Sequence, residues 1–173
     1  MSQPRGVFDA VRTMLAVRRY QDKPVPQALV RRIVEAGRLT ASAANRQPWH
    51  FILVEDRGML GKLGAAARTG PYIAEAPLAI VVAVDGQSPI AVSDASRAIQ
   101  SMMLTAWDDG VGSNWIGFGG MSEAKKLLGV PANLEVLAIV SFGYPRERIG
   151  RGKKRRKPLR DVAHRERFGA TFE

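Results

Sequence analysis

Cysteine is absent from this chain and histidine nearly so, with His50 and His164 the only two. The first absence excludes disulfides, thiolate metal sites and a cysteine nucleophile. Two isolated histidines without cysteine also fall short of the ligand count of a zinc site. Hydrolytic signatures are missing too: no G-x-S-x-G elbow and no H-E-x-x-H pair occurs. Neither G-x-G-x-x-G nor G-x-x-x-x-G-K-[ST] is present, which removes the common glycine-loop routes to a nucleotide, and the "GFGG" at 117–120 lacks their spacing. Long apolar runs are lacking as well. The longest, "APLAIVVAV" at 76–84, is far below the roughly 20 residues of a membrane-spanning helix. The N-terminal "MSQPRGVFDA" has no apolar stretch like that of a secretory leader. The expected compartment is therefore the cytoplasm, with no membrane partner.

What the sequence has in excess is positive charge. Lys and Arg number 26 against 16 Asp and Glu, a net +10, and basicity of that size attracts polyanions. It is concentrated: "RERIGRGKKRRK" (146–157) carries eight Lys or Arg against one Glu. Three readings fit such a run: a solvated basic tail, a phosphate clamp for a small cofactor, or a nucleic-acid patch. Generic nucleic-acid surfaces interleave aromatics among their cations for stacking. No aromatic occurs between Tyr144 and Phe168, so nucleic acid is not the expected partner.

At 173 residues, 46% of them hydrophobic, the chain suits one compact domain, with 146–173 a basic extension of it. Val7, Val11, Met14 and Leu15 recur at helical spacing and predict an amphipathic helix from about 5 to 17. Pro24 and Pro26 then break the helical pattern. Leu29, Ile33, Val34 and Leu39 predict a second helix over 26–40. "WHFILVE" (49–55) is rich in aromatic and β-branched residues and reads as a strand, with His50 packed inside it. A short helix in "DRGMLGKLGAAA" and a loop in "GPYIAEAP" follow. "LAIVVAV" (78–84) is apolar on both faces, the pattern of a buried central strand. The longest helix runs from about Pro89 to Asp109 and is apolar around much of its circumference, with Met102 and Met103 as core fillers. "VGSNWIGFGG" (111–120) is a strand entering a glycine-rich bend, "SEAKKLLG" a short helix, and "LEVLAIVSFGYP" (134–145) the last strand. Helices and strands mix without regular alternation, so the class is α+β, with helices around a central mixed or antiparallel sheet.

The remaining polar groups cluster at element ends: Arg18 and Arg19 after the first helix, "SAANRQPWHF" (42–51) between helix and strand, Lys154 and Arg156 in the basic run. None is a built-in nucleophile, a layout suited to a protein whose cofactor does the chemistry. Each has a plainer role as well. Arginines at a helix end complement its dipole, loop amides satisfy their own backbone, and Trp115 can be simple core.

Taken in order, "AVRRYQDKPVP", "SAANRQPWHFILVED", "APLAIVVAV", "GVGSNWIGFGG", "LEVLAIVSFGYP" and "KKRRKPL" resemble the nitroreductase family of FMN-dependent oxidoreductases. The run "NRQPW" is the most distinctive piece, and the resemblance spans roughly residues 10 to 160. It implies an intertwined homodimer with two FMN sites at the subunit interface. Ala41, Ser42, Ala43, Asn45, Arg46 and Gln47 would then face flavin held mainly by the partner. Small residues at Ser42, Ala43 and Ala44 would let backbone approach the ring, and Asn45, Arg46 and Gln47 would donate and accept at its polar edges. Arg18 or Arg46 would place positive charge near the N1–C2=O edge, with Arg19 beside it. A backbone N–H of Ile116 or Gly117 would face N5, with Trp115 packing alongside. Lys154 and Arg156 would hold the phosphate. Relatives carry an Arg and a Ser where this chain has Met14, Leu15 and Ala16, a departure that the basic residues 153–156 would compensate. The implied activity is NAD(P)H oxidation coupled, in ping-pong order, to reduction of nitroaromatics, quinones or similar small-molecule acceptors, with no catalytic side chain required. Alternatives are a specialised biosynthetic redox role, such as flavin destruction or azoline oxidation, and a basic nucleic-acid-binding domain. The C-terminal "RERFGATFE" would wrap the partner subunit.

Overall fold

The computed structural model describes residues 6–85, 88–117, 119–147, 149 and 154–172. Among the described residues nine regular elements follow one another: α1 (Val7–Thr13), α2 (Gln27–Arg38), β1 (Trp49–Val54), α3 (Arg57–Ala66), β2 (Leu78–Asp85), α4 (Pro89–Asp108), β3 (Gly112–Ile116), α5 (Met121–Leu127) and β4 (Leu134–Gly143). Single helical turns occur at Ala43–Asn45, Pro71–Glu75 and Leu159–Asp161. The expected loop at 70–77 thus contains a helical turn, opened by Pro71, whose fixed φ suits a first helical position.

The strands form one sheet in the order β1-β2-β4-β3, and all three ladders are antiparallel. The parallel element is the isolated bridge between Ala16 and Ser113. β2 is central and buried from Leu78 to Val84, because both sheet faces are covered. Leu78, Ile80, Val82 and Val84 point into the core beneath α2 and α4, while Ala79, Val81 and Ala83 point into the one beneath α3 and α5. Side chains alternate along a strand, so a strand covered twice must be apolar at every position. Ile80 and Val81 are both fully buried; truncating such a residue to alanine typically costs ~2–5 kcal/mol. Met102 and Met103 fill the core as expected, at 0% and 9% exposure.

Three expectations need correction. The first helix stops at Thr13 rather than 17, because Met14 turns extended (φ −56°, ψ 128°). Val17 then pairs with β3, its N–H donating to Ser113 O at 2.9 Å, and its side chain fills the space over Gly112 that a Cβ would occupy. Arg18 and Arg19 consequently lie on an extended segment and cannot serve as helix-end charges. The helix also faces the other way. Ala10 and Thr13 pack inward, Thr13 Oγ1 accepting from Trp107 Nε1 at 3.0 Å, whereas Val7 and Phe8 are 78% and 79% exposed. His50 is exposed on β1, not packed.

Candidate functional site

The loop leaving α2 is bent by design of its backbone. Ala44, Asn45 and Gln47 hold φ of 49°, 53° and 50°, a left-handed conformation that non-glycine residues avoid. Ser42 supports the bend twice: its carbonyl accepts from Asn45 N at 3.0 Å and its hydroxyl from Gln47 N at 2.9 Å. Gln47 Nε2 reaches back to Asn45 O and Oδ1, both at 3.2 Å. Ala43 N donates to Asp94 Oδ2 on α4 at 2.9 Å. Ala41, Ala43, Asn45, Arg46 and Gln47 are all exposed. The Arg46 N–H donates to Ala43 O at 3.1 Å, and its side chain lines a small cavity of about 120 Å³ with Pro48, Asp85, Ser88 and Asp94.

A second group assembles beside β3. The Arg18 guanidinium lies 5.9 Å from the Tyr72 ring centroid, and Tyr72 OH accepts from Asn114 Nδ2. Tyr20 anchors this segment: its hydroxyl donates to Val17 O and bonds Ser141 Oγ, each at 2.7 Å. Burial pushes the Tyr20 hydroxyl well above its ordinary pKa, with the Ser141 bond opposing, so it stays neutral. Arg19 points instead to Glu147, at 3.2 Å. Trp115 is half-buried and Ile116 buried. Gly117 follows as bare backbone; a Cβ there would come within 2.7 Å of Trp115 Nε1.

The basic segment folds back onto α1, where Lys154 Nζ donates to Val11 O at 2.5 Å. Burial, and secondarily Arg156, lower the Lys154 pKa below its ordinary value. Arg155, Arg156 and Lys157 are exposed, Arg156 donating to Arg155 O. Lys153, counted above with the compensating cations, lies outside the described residues.

These groups fall into two sets that one chain does not unite. The 42–47 loop is tied to Asp94 near the start of α4, while α1, and through it Lys154, is tied to Trp107 at the end. Those anchors are thirteen residues apart on one helix, about 20 Å at 1.5 Å per residue. Tyr72 belongs to the Trp107 end, in the same cluster as Met14, Leu15 and Ile149. Three supporting residues escape a sequence reading: Tyr72, within a segment read as loop; Asn114, inside a strand; and Asp94. Only Asp94 leaves a trace, as an acid on the core-facing stripe of an apolar helix with Arg97 three residues on.

The fold and this site define an antiparallel α+β protein in which a bent polar loop and a cationic end flank the sheet. A family model described as "Nitroreductase family" matches residues 12–75 and 64–144. A protein of Archaeoglobus fulgidus, provisionally named NADH dehydrogenase/NAD(P)H nitroreductase, is 38% identical over 144 residues, 78% of this chain and 83% of its own. One from Methanothermobacter thermautotrophicus with the same provisional name is 32% identical over 152 residues, 83% and 80% of the two chains. The solved structure of an FMN-dependent nitroreductase from Clostridium difficile R20291 superposes with a TM-score of 0.84 at 26% identity, covering 92% of this chain and 98% of that one. The chain belongs to the nitroreductase family.

Proposed function

We propose that this oxidoreductase uses FMN as its cofactor and NAD(P)H as its electron donor, and that two copies of the chain build each site. When bound, FMN would supply the hydride-transfer chemistry that links NAD(P)H oxidation, in ping-pong order, to reduction of a nitroaromatic, quinone or similar electrophile. The residues present suit such a group. Exposed amide and guanidinium groups at Asn45, Arg46 and Gln47 match the alternating donors and acceptors of a flavin edge. Gly117 has no side chain, and the half-buried Trp115 indole takes the space a Cβ would need, so the indole packs against the backbone whose N–H a flat ring would meet. Lys154 and Arg156 would hold the phosphate by charge-assisted hydrogen bonds. Arg18, or Arg46 from the partner copy, would place positive charge where the reduced cofactor becomes anionic. No side chain here need act as acid or base.

The observation that carries this reading is the separation along α4. The loop and the cationic end are each preformed, yet their anchors on α4, Asp94 and Trp107, stand about 20 Å apart in one chain, which favours a ligand that meets the two sets across two chains. The exposed apolar side chains of Val7, Phe8 and Val11 give the partner copy a surface to cover. The test is a visible absorption spectrum of the purified protein before and after adding FMN, then under anaerobic NADH or NADPH. A yellow protein that bleaches anaerobically with the reduced nucleotide, and regains its colour as an added quinone or nitroaromatic is reduced, is expected. A colourless protein that takes up no FMN overturns the proposal.

A further inference from the structure

The bent loop needs something to hold it. Left-handed φ values at Ala44, Asn45 and Gln47 put three non-glycine residues of one tetrapeptide in a sparsely populated conformation, which persists only where neighbouring structure enforces it. Two of the restraints, Ser42 and Gln47, belong to the loop itself. The restraint from outside is Asp94, 1% exposed on the core side of α4. One carboxylate oxygen accepts the Ala43 N–H at 2.9 Å; the other is ion-paired with Arg97, whose guanidinium is half exposed. Two turns further along α4, Ser101 Oγ accepts from Thr40 Oγ1 at 2.8 Å. A single polar stripe of the central helix therefore grips the loop at Thr40 and again at Ala43.

A buried carboxylate is costly unless paired and hydrogen-bonded, and the helix could have carried a methyl-bearing residue here as it does at Ala91, Ala95 and Ala98. We infer that Asp94 is the positioning residue of the cofactor-facing loop: through the Ala43 N–H it fixes the bends that aim Asn45, Arg46 and Gln47 out of their own chain. This deepens the proposed function and rests on it. Asp94 touches no ligand in this arrangement. Its effect passes through the loop backbone, and the ion pair with Arg97 holds it aligned.

The experiment compares Asp94→Ala, Asp94→Asn and, as a control for simple destabilisation, Leu60→Val, which thins a fully buried site in α3 away from the loop. FMN dissociation constants come from flavin fluorescence, thermal midpoints from the same samples, and hydrogen exchange of residues 40–48 from protein stripped of flavin. Asp94→Ala is expected to weaken FMN binding about tenfold or more, equivalent to ~1.4 kcal/mol per factor of ten, and to abolish slow exchange across 43–47. Asp94→Asn keeps an acceptor oxygen for Ala43 and should stay within about threefold of the wild type. Leu60→Val should lose thermal stability yet bind FMN within about twofold of the wild type. Unchanged affinity and exchange in Asp94→Ala overturn the inference. So does an affinity loss in Leu60→Val that tracks its midpoint as closely as that of Asp94→Ala. If the wild type binds no FMN, the reading of the site fails on that result, and exchange in the flavin-free protein still decides whether Asp94 holds the loop.

Discussion

Replacing Lys154 with methionine isolates the cationic end of the proposed site. Its ammonium donates to the Val11 carbonyl at 2.5 Å, in the last turns of α1, where unpaired carbonyls carry partial negative charge. Losing that contact should cost the flavin-free protein only ~0.3–1 kcal/mol. The effect on FMN should be larger. A hydrogen bond to a charged partner is worth ~1.5–3 kcal/mol, and the neighbouring Met14, Leu15 and Ala16 offer no polar side chain to replace it. FMN should therefore bind roughly 10- to 150-fold more weakly. Riboflavin, which lacks the phosphate, should bind the two proteins equally, and the salt dependence of FMN binding should shrink in the variant. The pH dependence carries a sign as well. Burial and Arg156 lower the Lys154 pKa from 10.5, so wild-type FMN affinity should decline on the alkaline side before 10.5 is reached, and the methionine variant should not show that decline. Flavin-free stability runs the opposite way: a folded pKa below the unfolded one means stability gained as pH rises through that window. Equal losses for FMN and riboflavin would refute the reasoning and leave Lys154 as a helix-end cap.

Three further outcomes are expected. The double substitution Val7→Glu, Phe8→Glu puts charge on side chains that are 78% and 79% exposed in one chain; sedimentation should show monomers with FMN affinity lost, and a persisting dimer would exclude α1 from the interface. Tyr72→Leu removes the ring under Arg18, a contact worth ~0.5–1 kcal/mol, so FMN affinity should fall about two- to fivefold while Tyr72→Phe retains most of it. Gly120→Ala should lower the thermal midpoint sharply: φ is +80° and the added Cβ would stand 2.0 Å from Ala66 O, costing ~1–2 kcal/mol for the backbone plus ~1–3 kcal/mol for the clash.

Local pattern made most of the elements legible. β2 could be placed from "LAIVVAV" because a strand covered on both faces has no polar position to spare, and α4 matched Pro89–Asp108 because Pro89 and the Gly110 turn bracket a long apolar helix. α1 failed for a reason outside its own residues. Val7, Val11, Met14 and Leu15 do repeat at helical spacing, but pairing of Val17 with Ser113 O competes for the last turn and wins; Met14 and Leu15 still pack against the core beyond the helix, while Val7 and Val11 stay open. His50 failed similarly: it shares a face of β1 with Ile52 and Val54, which pack into the core beneath α3, but a strand pattern does not say where along the strand that cover ends. The "NRQPW" loop was legible as composition but not as shape. Its left-handed bends depend on Asp94, 51 residues away in sequence, and no local signal carries such a contact.

The 20-residue helix α4 links these outcomes. It is the core's central helix on the α2 side of the sheet, and it fixes the loop at one end and α1 with Lys154 at the other. A rigid helix cannot bring its two ends together, so no rearrangement of a single chain that keeps α4 intact makes one compact site from them. Two antiparallel copies can, because the start of α4 in one then lies near the end of α4 in the other. The same geometry makes two equivalent sites per pair. It also ties FMN binding to association: a substitution that only weakens the interface must raise the apparent dissociation constant for FMN as the protein is diluted, whereas one that only removes a phosphate contact raises it by the same factor at every protein concentration. Titrating the Val7→Glu, Phe8→Glu protein and the Lys154→Met protein across a dilution series separates those two behaviours, and concentration-independent FMN binding in the first would mean that one chain suffices.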